Sequence, residues 1–173
     1  MTIDLLVPEL LAGPGRREAK LGSHGDRVAR KVRGLEAAVV DCSLMWVDSL
    51  ETGDARRLEV SVAGPAALLV AKLHKLADRQ QTRRANNKDA LDVLRLLRAV
   101  PTEKLANTLR ILRENATAGD ATRVAQQYLR ELFANRRGHG AQMAARAVQL
   151  LEDPDTIIES CVLLATDLLT SLE

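Results

Sequence analysis

Aromatic side chains are almost missing from this sequence: one Trp, one Tyr and one Phe make up 2 % of 173 residues. Trp46, Tyr128 and Phe133 stand far apart and form no platform on which successive bases could stack, which excludes single-stranded nucleic-acid binding by stacking. The core must instead be aliphatic, and Leu and Ala favour helices. Cysteine is scarce too. Cys42 and Cys161 fit no metal-ligand spacing and read as reduced thiols. The opening "MTIDLLVPELL" has no basic leader and meets Asp4, Pro8 and Glu9 at once, and no apolar run reaches the length of a membrane span. These absences predict a soluble, cytoplasmic protein that does not engage membranes. Charge of one sign is also lacking: 25 Lys and Arg face 23 Asp and Glu, a net +2, so bulk electrostatics would not draw a polyanion. No serine sits in a nucleophile elbow, which leaves acyl transfer without a constellation.

What is present is a hydrophobic content of 46 %, enough for one compact domain or one small domain with a helical extension. Residues 1–63 read as a small sheet. "TIDLLVP" is a short apolar run closed by Pro8, "GLEAAVVDCSLMWV" carries apolar runs around Val39, Val40, Met45 and Val47, and "RRLEVSVAG" alternates Leu58, Val60 and Val62 with Glu59 and Ser61. Residues 64–173 read as helical. Pro65 occupies a first-turn position, and Leu69, Leu73 and Leu76 form one stripe. Asn86 or Asn87 can start the next helix, which puts Ala90, Val93, Leu94 and Leu97 on one face. Pro101 ends it. Further helices are expected over about 102–118, 121–135, 141–151 and 154–172. The fold class predicted is α+β, a small antiparallel or mixed partial sheet followed by about six helices.

Chemistry-bearing residues concentrate in "VAGPAALLVAKLHKLADRQQTRRANNKDALDVLRLL", Val62 to Leu97. A Pro-led helix bears Lys72 and then Arg79; a polar loop leads to Lys88–Asp89, and Asp92 follows three residues later. This arrangement, with Asp4 between Ile3 and Leu5, resembles the nucleotidyltransferase-fold proteins related to the abortive-infection, type IV toxin–antitoxin nucleotidyltransferases, over residues 2–97. The resemblance implies nucleotide transfer from an NTP to a nucleic-acid or protein acceptor. It implies Asp89, Asp92 and Lys88 as catalytic, Lys72 and Arg79 as substrate-binding, and Asp4 as a ligand of Mg2+. In such proteins a Gly-Ser turn at a helix N-terminus cradles phosphates, and an Asp-x-Asp pair on a strand holds the divalent ions. This sequence departs from that pattern: Gly22–Asp26 is not followed by Asp-x-Asp, and Asp153 and Asp155 flank a proline that a paired strand excludes. The chain therefore looks like the C-terminal part of such a protein, inactive by itself.

The residues also admit other readings. Asp4 fits the polar member of an edge strand. Asp89 in a first helical turn suits the helix dipole, and Asp92 can pair with Arg95 or Lys88. Lys72 fits a surface lysine with a buried stem, and Arg79 a residue closing its helix. His74, between Leu73 and Lys75, reads as a solvated helix residue; His24 and His139 are too isolated for metal ligands. A basic segment of Arg16, Arg17, Lys20, Arg27, Arg30, Lys31 and Arg33 fits either a nucleic-acid phosphate contact or a solvated loop. A sheet this small leaves an edge that a protein partner or a homodimer could cover.

Overall fold

The computed structural model describes residues 5–13, 18–19, 23, 29–81, 87–149 and 151–173. Asp4, His24 and, from the basic segment, Arg16, Arg17, Lys20 and Arg27 lie outside the described residues. The architecture is α+β, as the sequence predicts. Strands β1 (Leu5–Pro8), β2 (Glu18–Ala19) and β3 (Ala29–Val32) form one sheet in the order β1-β3-β2. β1 runs parallel to β3 and β2 antiparallel to it, so this sheet is mixed. A short helix α1 (Ala37–Val40) separates it from a hairpin of β4 (Cys42–Asp48) and β5 (Arg57–Ala63).

Val39 and Val40, expected on a strand, fall in α1. Two contacts account for the difference. The Glu36 carboxylate is buried and accepts from Leu10 N (3.1 Å) and Gly34 N (2.7 Å), which fixes the entering turn. Ala37 then packs fully buried, with α1 against the first long helix. Gly34 has φ +92°, and a side chain there would run into the His74 ring. Only glycine meets both demands at low cost.

Among the described residues six helices follow: α2 (Pro65–Gln81), α3 (Asn87–Ala99), α4 (Thr102–Glu114), α5 (Gly119–Phe133), α6 (His139–Val148) and α7 (Pro154–Ser171). Each buries one stripe, as helical spacing of Leu and Ala requires. Leu69, Leu73, Leu94, Leu105, Leu112, Leu129, Ile157 and Leu168 are all within 2 % of complete burial, as are Phe133 and Met143. α2 packs on α3 and α5, and α3 on α6 and α7. Asp153 caps α7 by accepting from Thr156 N (2.9 Å), with Pro154 at the first position. Asp153 and Asp155 thus begin a helix and form no strand-borne carboxylate pair.

Two long-range contacts tie hairpin to bundle. Asp41, just before β4, accepts from Ala67 N (2.9 Å) in the first turn of α2, which leaves one fewer orphan donor there. Its carbonyl accepts from Gly64 N (2.8 Å). His74 is a correction to the solvated reading. It is buried, its Nε2 lies 2.8 Å from the Ala121 carbonyl, and Tyr128 stands edge-on to it at 5.4 Å. An apolar face of α2 wider than the leucine stripe carries it inward. No described helix is long and apolar enough to cross a membrane.

Candidate functional site

The stretch singled out by the sequence folds into an ion-pair cluster between α2 and α3. Lys72, Lys75 and Arg79 follow one another at three- and four-residue steps, so they share one face of α2. Asp89 and Asp92, three apart, share the facing side of α3. Apolar packing of Leu69, Leu73 and Leu76 against Ala90, Val93 and Leu94 brings the two faces together.

Asp89 is the hub. Its side chain is only 4 % exposed, and three cations converge on it: Lys72 Nζ at 3.1 Å and Lys75 Nζ at 2.8 Å on Oδ1, and Arg79 Nη1 at 2.8 Å on Oδ2. Lys72 also donates to Asp92 Oδ2 at 2.7 Å, and Arg95 reaches Asp92 Oδ1 at 3.2 Å. Burial by itself would raise the Asp89 carboxyl, but the hydrogen bonds and charge of Lys75 and Lys72 outweigh it and hold the group below the ordinary carboxylate range. Asp92 is lowered in the same way: burial opposes the shift, and Lys72 decides it. Lys72 is held above the ordinary lysine value, because Asp92 and Asp89 more than offset the burial that disfavours its charge.

The structure therefore brings together Lys72, Arg79, Asp89 and Asp92. Lys88 starts the same helix but is exposed on its first turn. Asp4 lies outside the described residues. Lys75 belongs to the cluster although the sequence reading passed over it. Its position three residues after Lys72 on the same face was the signal that could have found it.

What this arrangement can do follows from its charge. Four cationic side chains, Lys72, Lys75, Arg79 and Arg95, meet two carboxylates. The surplus is positive, and the lysine and arginine side chains of α2 keep between 26 and 40 % of their surface in solvent. The described residues do not fit a magnesium ion. Every oxygen of Asp89 and Asp92 already accepts from a cationic donor, and an incoming divalent cation would face all four positive groups at close range. Among the described residues, no group of three His, Cys, Asp or Glu side chains is placed to hold a metal. An anion with several oxygens suits the cluster better, since the cationic groups outnumber the carboxylates that hold them.

A concavity of about 440 Å³ lies between the first sheet and the start of α5. Glu9, Lys31, Arg33, Glu36 and Asp120 line it, so acids and bases are mixed along its wall. Lys31 donates to the Gly13 carbonyl (2.7 Å), and Glu36 is committed to backbone amides. Arg30, Lys31 and Arg33, the part of the basic segment that is described, lie on or just after β3.

Comparison with protein-family models, with curated proteins and with solved structures gives no match for this chain.

Proposed function

We propose that the chain is a nucleotidyltransferase-like protein whose α2–α3 cluster receives the phosphates of a nucleoside triphosphate, and that it does not transfer nucleotide unaided. The observation that supports this reading most is the convergence of Lys72, Lys75 and Arg79 on the buried Asp89 carboxylate. Asp89 gathers three long side chains that would otherwise lose rotamer freedom on meeting a ligand. Their remaining exposure faces them to solvent as a pre-assembled cationic surface. A triphosphate brings several negative charges and many acceptor oxygens to the point charges of the lysines. The resemblance of the Lys72–Arg79–Lys88–Asp89–Asp92 spacing gives the phosphate its identity as that of a nucleotide. The transfer step itself has no support from Asp89 and Asp92 as they are held, since both are neutralised by cations and neither presents a site for a divalent ion.

Calorimetry of the full chain with ATP, GTP, CTP and UTP, with and without magnesium, tests this. Saturable binding that falls at least tenfold in a Lys72→Ala, Arg79→Ala double variant of unchanged helicity is the expected result. Tripolyphosphate binding as tightly as every nucleotide would reduce the reading to a polyanion site, and no binding by any of them would sink it. A second reading, a module that binds a protein partner, has a separate observation in its favour: the apolar hairpin β4–β5 stands almost wholly in solvent.

A further inference from the structure

The ladder of the hairpin decides which backbone groups look outward. Ser49 N donates to Arg56 O (3.0 Å) at one end and Gly64 N to Asp41 O (2.8 Å) at the other, with Met45 opposite Val60 between them. In an antiparallel pair these bonds recur at alternate residues. Met45 and its odd-numbered neighbours therefore turn their amides towards β5, whereas Cys42, Leu44, Trp46 and Asp48 turn theirs away. Among the described residues no strand pairs with that outer edge of β4.

The two edges of the hairpin differ in chemistry. Arg57 and Glu59 lie on the outer edge of β5, and charge is a common device against edge pairing. β4 has no proline, glycine or lysine in its seven residues, and its single charge, Asp48, stands at the end. Along it Leu44, Met45, Trp46 and Val47 are each more than half exposed. An unblunted apolar edge of this length is a template for another strand.

We propose that β4 pairs antiparallel with β4 of a second copy, about a two-fold axis through Met45, and that the chain is a dimer through this edge. Charge and symmetry favour a second copy over an unrelated strand. In that register Leu44 stands opposite Trp46 of the second copy, Ser43 opposite Val47, Met45 opposite Met45 and Asp48 opposite Cys42. All seven residues find a counterpart, and no like charges meet. Full overlap of two β5 edges would instead set the Glu59 side chains of the two copies diagonally adjacent. A basic foreign peptide would find no opposite charge along the interior of β4, and Arg57, the cation an acidic one would meet over Trp46, is already paired with Asp48. The closed symmetry uses each edge once, so pairing stops at two chains. The outward amides of Leu44 and Trp46 are satisfied on both copies, and the Leu44–Trp46 pairs leave water. The apolar faces carrying Met45, Val47, Leu58, Val60 and Val62 are joined into one sheet face. This proposal is independent of nucleotide binding, and its tests read assembly alone.

Sedimentation equilibrium of the full chain, from low micromolar to sub-millimolar concentration, should show a reversible monomer–dimer system. In a Cys42→Ser background, Met45→Cys should form a disulfide-linked dimer under mild oxidation, because facing residues at that position stand roughly 4.5 Å apart between Cα atoms. Val47→Cys should not, because its equivalents lie four residues out of step, roughly 13 Å along the ladder. Leu44→Pro removes an outward amide and leaves the bonds to β5 intact; it should give a monomer with an unchanged circular dichroism spectrum. A chain that stays monomeric over the whole range, with no Met45→Cys cross-link, overturns the proposal. Cross-linking through Val47→Cys as readily as through Met45→Cys overturns the register.

Discussion

The strands of the hairpin β4–β5 are richer in apolar residues than helix α5, yet the two meet opposite fates. Leu129, Leu132 and Phe133 of α5 are at most 6 % exposed, while Leu44, Trp46 and Leu58 of the hairpin keep between 55 and 68 % of their surface in solvent. The difference lies in what each has to pack against. A helix in a bundle of six finds neighbours on several sides, whereas a two-stranded ribbon needs a further layer that the described residues do not provide. Apolar content by itself measures the capacity for burial; the burial reached depends on a counterpart.

This contrast can be broken where it is strongest. Phe133→Ala should destabilise by about 3–5 kcal/mol, because a fully buried ring leaves a cavity on top of the lost transfer energy; urea unfolding followed at a helical signal reads it. A loss under 1 kcal/mol would mean the bundle is loosely packed. Next in size is the hub of the α2–α3 cluster. Asp89→Ala leaves Lys72, Lys75 and Arg79 without their shared carboxylate and should cost about 2 kcal/mol, less than a fully buried charge would, since the cations can turn to water.

Acid sharpens the same point. The Asp89 and Asp92 carboxyls are lowered in the folded chain, so the stability they contribute is present above their unfolded value, about pH 4. It is lost as pH falls through their lower folded values. The urea midpoint should therefore drop below about pH 4 and drop less steeply in Asp89→Asn. His74 sets a gentler slope. Burial holds its imidazole below the ordinary value, although the Ala121 carbonyl favours the charged form. The unfolded chain then takes up a proton first, and stability should decline as pH falls below about 6.5. A flat profile across that range would return His74 to solvent. Smallest of all, Leu58→Ser on the hairpin should shift stability by no more than about 0.5 kcal/mol, since its side chain is already largely hydrated. A loss comparable to that of Phe133→Ala would show that the hairpin is covered in solution.

Much of the helical part was legible from periodicity. Pro65, Pro101 and Pro154 mark helix starts and stops by removing a donor, and the Leu stripe of α2 reads directly as a core face. Helices α5 and α6 begin two residues before their expected starts, at Gly119 and His139, because glycine and histidine are tolerated in a first turn that packing holds. The first sheet was less legible. β1 pairs in parallel with β3 across a long connection, and no local signal encodes such a partner. Val39 and Val40 show the same limit, since a buried Glu36 overrides their strand preference. At the candidate site, the resemblance singled out Lys72, Arg79, Asp89 and Asp92, and helical spacing accounts for their meeting on facing sides of α2 and α3. It did not show that the carboxylates would be spent on the cations, which depends on the crossing of two helices.

Asp41 couples the hairpin to the start of the bundle. Its carboxylate meets the first turn of α2 across 26 residues of chain, and its own carbonyl closes the base of the hairpin on Gly64. The two contacts share one residue, so Ala67 N finds its acceptor only once the intervening loop has closed. Closing a loop of that length costs little more than closing one half as long, by about 0.6 kcal/mol. The ribbon is therefore tied to the bundle at its base even though its faces are not. The slowest local opening of the N-terminal part should release Asp41 and the first turn of α2 together, as one unit in hydrogen exchange.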